Sequence, residues 1–465
     1  MKFSHFCNTI FFIFVFISVV FIETSTVLCQ DLLKVSLDLR SRTEFWNTLL
    51  DFPVYDNPYG FILIRGRSSV DYKYSVFRFH GTIQGASALR LPDNGFSGPG
   101  KNYFESSGKK NSQNFSLAEL YLKVKYGSFD FSLGRIPLRE GAEYISSMEK
   151  LISVKERVIS ERLVGNWDWT AIGRRFDGGS LGIDTEKIYF WLSGARVLSG
   201  GFDFESAYNP MNIALAIASI TLKEDLIKNT EIRLFNILYS DSRKIVKGLY
   251  QKDLFINTPG LSLISVNDLG PGEIDFVIWG AYQIGKFGLK NQQAFSFVLE
   301  SGYEIKEIFL SPWLRIGFAY ASGDKNQSDN TNQRFFNLLP TNHKYYGYLD
   351  MFSLSNLQNL YLQTMFSYNI FSLELSLHDF SLSSTKDKWV YGSGASSKNK
   401  LGYSDIDFSG KKVGNEVDVV FYLNPTKSFY SSFGFSLFFG SSGLREVFPY
   451  KSSMFWLFSQ INLLF

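Results

Sequence analysis

Charged side chains recur at every second position in several stretches of the chain. This spacing is followed by Arg40, Arg42 and Glu44, by Arg65 and Arg67, and by Glu416 and Asp418. Side chains two residues apart lie on the same face of a β-strand, whereas a helix would scatter them. Rows of arginine on such a face could favour anions in a pore, with carboxylates holding the arginines in position.

These charged faces predict a water-filled pore rather than a soluble protein core. An unpaired charge buried in a core costs several kcal/mol, and Arg65 and Arg67 have no acid close to them in the sequence. The expected cationic lining of the pore comprises Arg40, Arg42, Arg65, Arg67, Arg78 and Arg135. The expected acid partners of these arginines are Glu44, Glu416 and Asp418. The alternative is that the charges only pair with one another and keep the wall hydrated.

Catalytic and metal-binding patterns are weak by comparison. The histidines of the chain are His5, His80, His343 and His378. None of them lies at metal-ligand spacing from another. Ser147 and Lys150 match S-x-x-K without any supporting motif. A hydrolase would need His378 beside Glu374, and no serine of clear role accompanies them. We therefore expect no enzymatic activity, no metal site and no cofactor.

The composition is typical of a membrane β-barrel. Aromatic residues make up 17% of the chain, while its mean hydropathy is only −0.04. Alternating membrane strands give this combination, whereas a helical membrane protein needs repeated apolar runs of about 20 residues. A formal net charge of +3 favours neither a nucleic-acid-binding protein nor an acidic disordered chain. Outer-membrane lipid is the expected partner of the apolar strand faces.

The N-terminus has the pattern of a signal peptide. Lys2 precedes an apolar stretch at 10–22, and small residues then lead to Cys29. We expect residues 1–29 to be removed and residues 30–465 to form the barrel. A lipoprotein acylated on Cys29 is the alternative, although Leu28 disfavours it because that position normally holds a small residue. The only cysteines are Cys7 and Cys29, so the mature chain should contain no disulfide.

Period-two alternation predicts strands along most of the chain. The clear ones are 31–46, 61–71, 74–84, 115–126, 129–135, 274–285, 292–303, 312–323, 357–368, 370–380, the hairpin 414–439 and 453–465. The less clear ones are 167–184, 187–196, 211–222 and 230–240. Together they number about 17, and bacterial single-chain barrels have an even number of strands. We expect the missing strand at 249–257, which gives a closed antiparallel barrel of about 18 strands.

Loop lengths give the orientation of this barrel. Short links fit periplasmic turns, and the long links near 87–114, 137–165, 324–356 and 381–412 are expected outside the cell. The last strand ends on Phe465, with Ile461 and Leu463 on the same face. A terminal aromatic residue of this kind is similar to the signal read by the barrel-assembly machinery, which makes that machinery an expected partner.

Several spaced motifs resemble the alginate export family of outer-membrane barrels. The longest runs from S-G-D at 322–324 to 336–350, and its motif positions are Asp324, Pro340, His343, Tyr345, Gly347 and Asp350. Shorter matches are Arg40-x-Arg42-x-Glu44, Gly134-Arg135, Arg175-Phe176-Asp177-Gly178, His378-Asp379-Phe380 and Gly414-x-Glu416-x-Asp418. The resemblance implies an 18-stranded monomeric barrel whose arginine-rich pore passes a polyuronate outward.

The expected function is a passive outer-membrane channel for an anionic solute, with export of an alginate-like polysaccharide as the favoured case. The alternative is an adhesin whose long loops bind an extracellular ligand.

Overall fold

Eighteen antiparallel strands form one closed barrel. They are β1 Leu33–Asn47, β2 Tyr59–Tyr74, β3 Phe77–Leu89, β4 Ser112–Tyr126, β5 Phe129–Ile136, β6 Phe176–Asp184, β7 Ile188–Leu198, β8 Pro210–Ile227, β9 Thr230–Asp241, β10 Leu254–Leu269, β11 Gly272–Phe287, β12 Lys290–Ile305, β13 Trp313–Ala321, β14 Leu357–Tyr368, β15 Phe371–Ser381, β16 Lys412–Thr426, β17 Phe429–Gly440 and β18 Ser453–Leu464. Each strand pairs with the next along the chain, and β18 pairs with β1, with Asp38 opposite Leu464. The predicted barrel is therefore confirmed.

The structure is a computed structural model that describes residues 32–49, 55–392, 402–448 and 453–465. The expected signal peptide, with Cys7 and Cys29, lies outside the described residues. Among the helices that are described, none is long and apolar enough to cross a bilayer.

Alternation places apolar side chains on the outer face of the wall. In β14 and β15, Leu360, Leu362 and Leu377 are half exposed, whereas Tyr361 and His378 between them are buried. Outward side chains of this kind contact lipid, so their exposure to solvent in the isolated chain reflects the membrane-facing belt. The inward face carries the polar residues, as expected for a barrel with a wet lumen.

The missing strand lies further along the chain than predicted. Leu249 belongs to a short helix, Lys244–Tyr250, and the strand itself is β10, Leu254–Leu269. Pro259 and Gly260 lie inside β10. In the sequence they indicate the end of a strand, because proline has no N–H to donate to the neighbouring strand. The predicted strand at 167–184 is likewise shorter than expected, because only Phe176–Asp184 pairs with its neighbours.

Two long loops fold into the lumen, which corrects the expectation that they lie outside the cell. The inner loop, residues 137–175, joins β5 to β6 and contains helix α2, Glu149–Val158. On α2, Leu151, Val154 and Val158 are buried, with exposed fractions of 0–1%. These apolar residues recur at helical spacing and need a covering surface, which the barrel interior provides. The motif loop, residues 322–356, joins β13 to β14 and is also mostly buried.

The remaining helices and short strands lie at the extracellular end. The helices are α1 Pro99–Ser107, α3 Lys244–Tyr250 and α4 Leu444–Val447. A 3-10 turn at Asn342–Lys344 instead belongs to the motif loop inside the lumen. A small hairpin pairs Trp389–Gly392 with Tyr403–Ile406, and Thr331–Asn332 runs parallel to β12. The links at the opposite end are short, which makes that end periplasmic.

Candidate functional site

Arginines of β1 and β2 form a basic patch on the lumen side of the wall. The register of the two strands sets Arg40 opposite Arg65 and Arg67 opposite Asp38. Residues directly opposite on antiparallel strands share a face, so these side chains project inward together. Like charges placed this close repel each other and need acceptors between them, and the inner loop supplies those acceptors.

Residues 167–170 of the inner loop, which we call the septum, face this patch. Arg40 donates from Nη1 to the carbonyl of Asp168 at 2.7 Å and from Nη2 to the carbonyl of Thr170 at 2.6 Å. Arg42 donates to the Trp169 carbonyl at 2.7 Å, and Arg65 donates to the Asp168 carbonyl at 3.1 Å. The backbone of the septum is thus bound by guanidinium groups of the wall at three successive residues.

The Asp168 carboxylate lies at the centre of the patch. Its Oδ1 is 2.6 Å from Nη2 of Arg67, 3.2 Å from Nη1 of Arg175 and 3.9 Å from Nη1 of Arg65. Burial raises the pKa of this carboxyl, but Arg175, Arg67 and Arg65 outweigh burial and hold the pKa of Asp168 well below its usual range. Asp168 therefore stays ionised. Arg175 is shared with Glu119 of β4 at 2.8 Å.

Exposure along β1 shows on which side of the septum the lumen is open. Toward the periplasmic end, Asp38 is 29% exposed, whereas Arg42 and Glu44 toward the extracellular end are 0–1% exposed. The Asp168 side chain, although inside the barrel, keeps 40% of its surface exposed. Asp168 therefore faces a solvated vestibule that opens toward the periplasm.

An aromatic stack closes the extracellular side of the septum. The Trp169 ring lies 4.0 Å from the His343 ring at an interplanar angle of 18°, and Arg42 covers Trp169 at 3.8 Å. Nδ1 of His343 is 2.9 Å from Oδ2 of Asp350. Trp167 and Asp350 line an extracellular cavity of about 270 Å³. The septum thus separates this cavity from the periplasmic vestibule.

The other motif-loop positions attach that loop to its surroundings. The Tyr345 hydroxyl donates to the Ser160 carbonyl, and Arg162 lies 4.0 Å above the Tyr345 ring. Gly347 has φ +79°, and a Cβ there would lie 2.3 Å from Oε1 of Glu416, so only glycine fits. Oδ2 of Asp324 forms an ion pair with Nζ of Lys290 at 3.8 Å. Pro340 lies directly after Leu339, whose carbonyl accepts a hydrogen bond from Arg174 at 2.6 Å.

The arc of wall from β9 to β15 carries carboxylates that hold α2. Lys150 pairs with Glu304 at 2.5 Å, Lys155 pairs with Glu231 at 2.5 Å, and Arg157 pairs with Glu374 at 3.0 Å. Glu231, Glu304 and Glu374 all lie within a few residues of periplasmic turns. The inner loop therefore enters from the extracellular side and descends through most of the lumen.

Two predicted acid partners have different contacts from those expected. Glu44 accepts from Arg42 at 2.8 Å. Oε1 of Glu416 instead accepts from the backbone N–H of Leu349 at 2.9 Å, and Oδ1 of Asp418 accepts from Ser436 at 2.6 Å. Glu416 and Asp418 lie on β16, and their hydrogen-bond partners belong to the motif loop and to β17. They are therefore not acid partners of the β1–β2 arginines in this structure.

One predicted lining residue is on the wrong face of the wall. Arg135 lies opposite Leu120, which is 56% exposed on the lipid side, and its guanidinium pairs with Asp177 of β6 at 2.8 Å. β5 places Arg135 with Leu133, which is also outward. Arg78 does face the lumen, where it pairs with Asp71 at 2.7 Å near the periplasmic turn.

Glu374 and His378, the pair that a hydrolase would need, have separate partners. Glu374 is bound by Arg157, whereas Nε2 of His378 is 3.7 Å from Asp418. Across the described ranges, no group of three or more His, Cys, Asp or Glu side chains is arranged to hold a metal ion.

The sequence reasoning missed Asp168, Trp169 and Lys155 as site residues. Asp168 and Trp169 fell inside a predicted strand, and Lys155 fell inside a loop expected outside the cell. Trp167-Asp168-Trp169 places two of the chain's 8 tryptophans around one acid, which was the available signal. Arg175 is part of a motif that resembles the family. Its partners Asp168 and Glu119 lie 7 and 56 residues away along the chain, so the motif alone does not show them.

Comparisons with known proteins support a channel barrel. The family model described as alginate export matches residues 157–451. The structure is similar to the outer-membrane protein OpdK from Pseudomonas aeruginosa, with 8% identity, 93% of this chain and 99% of that chain covered, and a TM-score of 0.56. It is also similar to OccAB2 from Acinetobacter baumannii, with 6% identity, 93% and 98% coverage and a TM-score of 0.58. No curated protein matches the chain. At these identities the structural likeness supports the fold.

Proposed function

This chain belongs to the alginate export family and is an integral outer-membrane channel, and we propose that its solute is anionic, with export of an alginate-like polysaccharide as the specific case. The proposal names Arg40, Arg42, Arg65, Arg67 and Arg78 as the cations that the solute meets. No chemistry and no cofactor is required of the protein, because the pathway only has to lower the electrostatic cost of bringing an anion into the barrel.

The observation that carries the proposal is the convergence of Arg40, Arg65, Arg67 and Arg175 at the inner end of a solvated vestibule. Three carboxylates, Asp168, Asp38 and Glu119, pair with this group of four arginines, so the local excess is one positive charge. A uronate polymer carries one carboxylate per sugar and would be favoured there over neutral chains. Family membership supports the outward direction and the polysaccharide.

Reversal potentials in planar bilayers under a KCl gradient test the charge preference. We expect the wild-type channel to prefer chloride over potassium, and the double variant Arg65→Glu with Arg67→Glu to lose or invert this preference. Arg135→Gln is the control, because Arg135 lies on the outer face of the wall, where it pairs with Asp177 of β6. Cation preference in the wild type, or chloride preference that survives both reversals, would contradict the proposal.

The adhesin alternative is disfavoured by where the long loops lie. The inner loop and the motif loop are turned into the lumen and bury most of their side chains, so they leave little surface for an extracellular ligand. Deleting residues 324–356 separates the two functions: a changed conductance supports a loop of the pathway, whereas lost adhesion with unchanged conductance supports an adhesin.

The proposal also covers the assembly and the oligomeric state of the barrel. Phe465 is 58% exposed at the end of the chain, and its backbone pairs with Leu37 of β1. We propose that the barrel-assembly machinery reads this residue and that the finished barrel is a monomer. Phe465→Ser should lower the yield of folded barrel in the outer membrane, measured by heat-modifiable migration, without changing the conductance of channels that do fold.

A further inference from the structure

We propose that the septum is an internal substitute for the solute: Asp168 and the carbonyl groups beside it occupy the arginine patch that a uronate carboxylate must take over during passage. This inference rests on the proposed function, since it assumes that the solute is anionic. It adds that the patch is a carboxylate-binding site whose resident ligand is part of the chain.

The contacts of the Asp168 carboxylate are those of a bound anion. Oδ1 of Asp168 lies within hydrogen-bond distance of both Arg67 and Arg175, and Oδ2 lies 3.4 Å from Nη2 of Arg175. Guanidinium groups that approach both oxygens of a carboxylate are the usual protein site for this anion. Any carboxylate of similar size could make the same contacts.

Carbonyl oxygens of the septum occupy other guanidinium groups of the patch. Arg40, Arg42 and Arg65 donate to the carbonyls of Asp168, Trp169 and Thr170, which are neutral acceptors. A guanidinium group forms stronger bonds with an anionic oxygen than with a carbonyl. In addition, Nε of Arg65 is buried and has no hydrogen-bond partner among the described residues. The patch therefore has binding capacity that the septum does not use.

The Asp168 carboxylate is accessible from the vestibule. The Asp168 side chain is 40% exposed, whereas Arg175 beneath it is 1% exposed. A solute in the vestibule reaches the carboxylate before it reaches the arginine, so exchange can begin without unfolding the wall. Gly173 allows the Asp168 carboxylate to lie this close to the loop backbone, because Gly173 has φ +78° and a Cβ there would lie 2.6 Å from Oδ1 of Asp168.

Displacement of the septum would open a route through the lumen. Trp167 and Trp169 flank Asp168 and form the barrier to the extracellular cavity. Trp167 has φ +51°, an unusual backbone conformation for a tryptophan. Once the arginines bind a solute carboxylate, the contacts that hold Asp168, Trp169 and Thr170 are lost together. Solute binding and movement of the barrier would then be one event.

The test is block of channel current by tetragalacturonate in planar bilayers, with maltotetraose as the neutral probe. We expect Asp168→Asn to lower the half-blocking concentration of tetragalacturonate by about tenfold, since the competing charge is gone, and to leave the effect of maltotetraose unchanged. Asp130→Asn is the matched control, because Asp130 pairs with Lys123 on the vestibule wall away from the patch. Heat-modifiable migration checks that each variant folds.

A second measurement does not depend on current. In Asp168→Ala, potassium acetate should raise the thermal unfolding midpoint relative to KCl at the same ionic strength, because acetate refills the patch, and it should not do so in the wild type. An unchanged or higher half-blocking concentration in Asp168→Asn, or no acetate effect in Asp168→Ala, would overturn the inference. A wild-type channel that prefers cations would instead overturn the proposed function itself.

Discussion

The two sides of the lumen hold the same inner loop with opposite polarity. On the β1–β2 side the wall supplies arginines and the loop supplies an acid, Asp168. On the β9–β15 side the wall supplies glutamates and the loop supplies Lys150, Lys155 and Arg157. The first contact is solvated, with Asp168 40% exposed, whereas Lys155 and Glu231 are each 4% exposed.

This difference divides the loop into a fixed part and an exchangeable part. A buried ion pair that loses one partner leaves an uncompensated charge, so α2 is held firmly to its wall. Another ion can replace a solvated ion pair at a small cost in free energy, so the septum can be displaced from the arginines. The arrangement also places Lys150, Lys155 and Arg157 of the loop away from the pathway, where the wall glutamates neutralise them.

Breaking the fixed contact should give the largest effect. Lys155→Met leaves Glu231 buried without its partner, and we expect the free energy of unfolding to fall by about 3–5 kcal/mol. Thermal unfolding followed by circular dichroism in detergent measures this loss. The conductance of single channels should become larger and noisier as α2 loosens.

The matched control is the double variant Lys155→Met with Glu231→Met. With both charges removed, most of the lost stability should return, because no unpaired ion remains. If the double variant is as unstable as Lys155→Met, the damage comes from packing around α2 and the ion pair is not the anchor.

The junction between the two inward loops should respond to pH. Nζ of Lys344 donates to the Glu156 carbonyl of α2, and burial lowers the pKa of Lys344 to about 8, with Glu161 and Glu156 acting in the opposite direction. The unfolded chain keeps this lysine charged up to a pH of about 10.4. Below pH 8 the buried charge destabilises the folded chain by its full amount. As the pH rises from about 8 to about 10.4 the folded chain loses this proton before the unfolded chain does, so the free energy of unfolding should increase by up to about 3 kcal/mol.

Unfolding midpoints at pH 7, 9 and 10.5, compared between the wild type and Lys344→Met, isolate this contribution from other titrations. The variant should be more stable than the wild type at pH 7, and the difference should shrink toward pH 10.5. Parallel pH profiles would show that Lys344 is not the titrating group.

The contact between the motif loop and β16 should give the smallest effect. Glu416→Gln keeps an acceptor for the Leu349 N–H and should change stability by less than about 1 kcal/mol, whereas Glu416→Ala should cost about 1–3 kcal/mol. Chemical unfolding of both variants measures the pair. Equal losses would mean that charge, rather than the hydrogen bond, holds the loop.

Period-two alternation carries most of the fold, because each strand's inward and outward residues are read from its own sequence. β10 was misplaced because Pro259 and Gly260 interrupt its local pattern, while its pairing with β9 and β11 is set by distant residues. Arg135 was assigned to the wrong face because it continues the alternation of Leu133 and does not share the face of Asp130 and Ser132.

The site was harder to predict than the wall for a physical reason. Arg40, Arg42, Arg65 and Arg67 could be placed on the lumen face from spacing alone. Their partner Asp168 lies 101 residues from Arg67 along the chain, and the sequence around Asp168 does not show that it meets these arginines. The apolar spacing of Leu151, Val154 and Val158 is the one sequence feature that indicates a buried face in that loop.

Flux of a charged and a neutral oligosaccharide of equal length tests the central claim most directly. Purified protein in liposomes is given tetragalacturonate and maltotetraose together, and the amounts that cross are compared at low and high salt. An anion-conducting lumen should pass tetragalacturonate faster, and the advantage should shrink as salt screens the arginine patch. Equal rates for the two solutes at low salt, or faster passage of maltotetraose, would contradict the account.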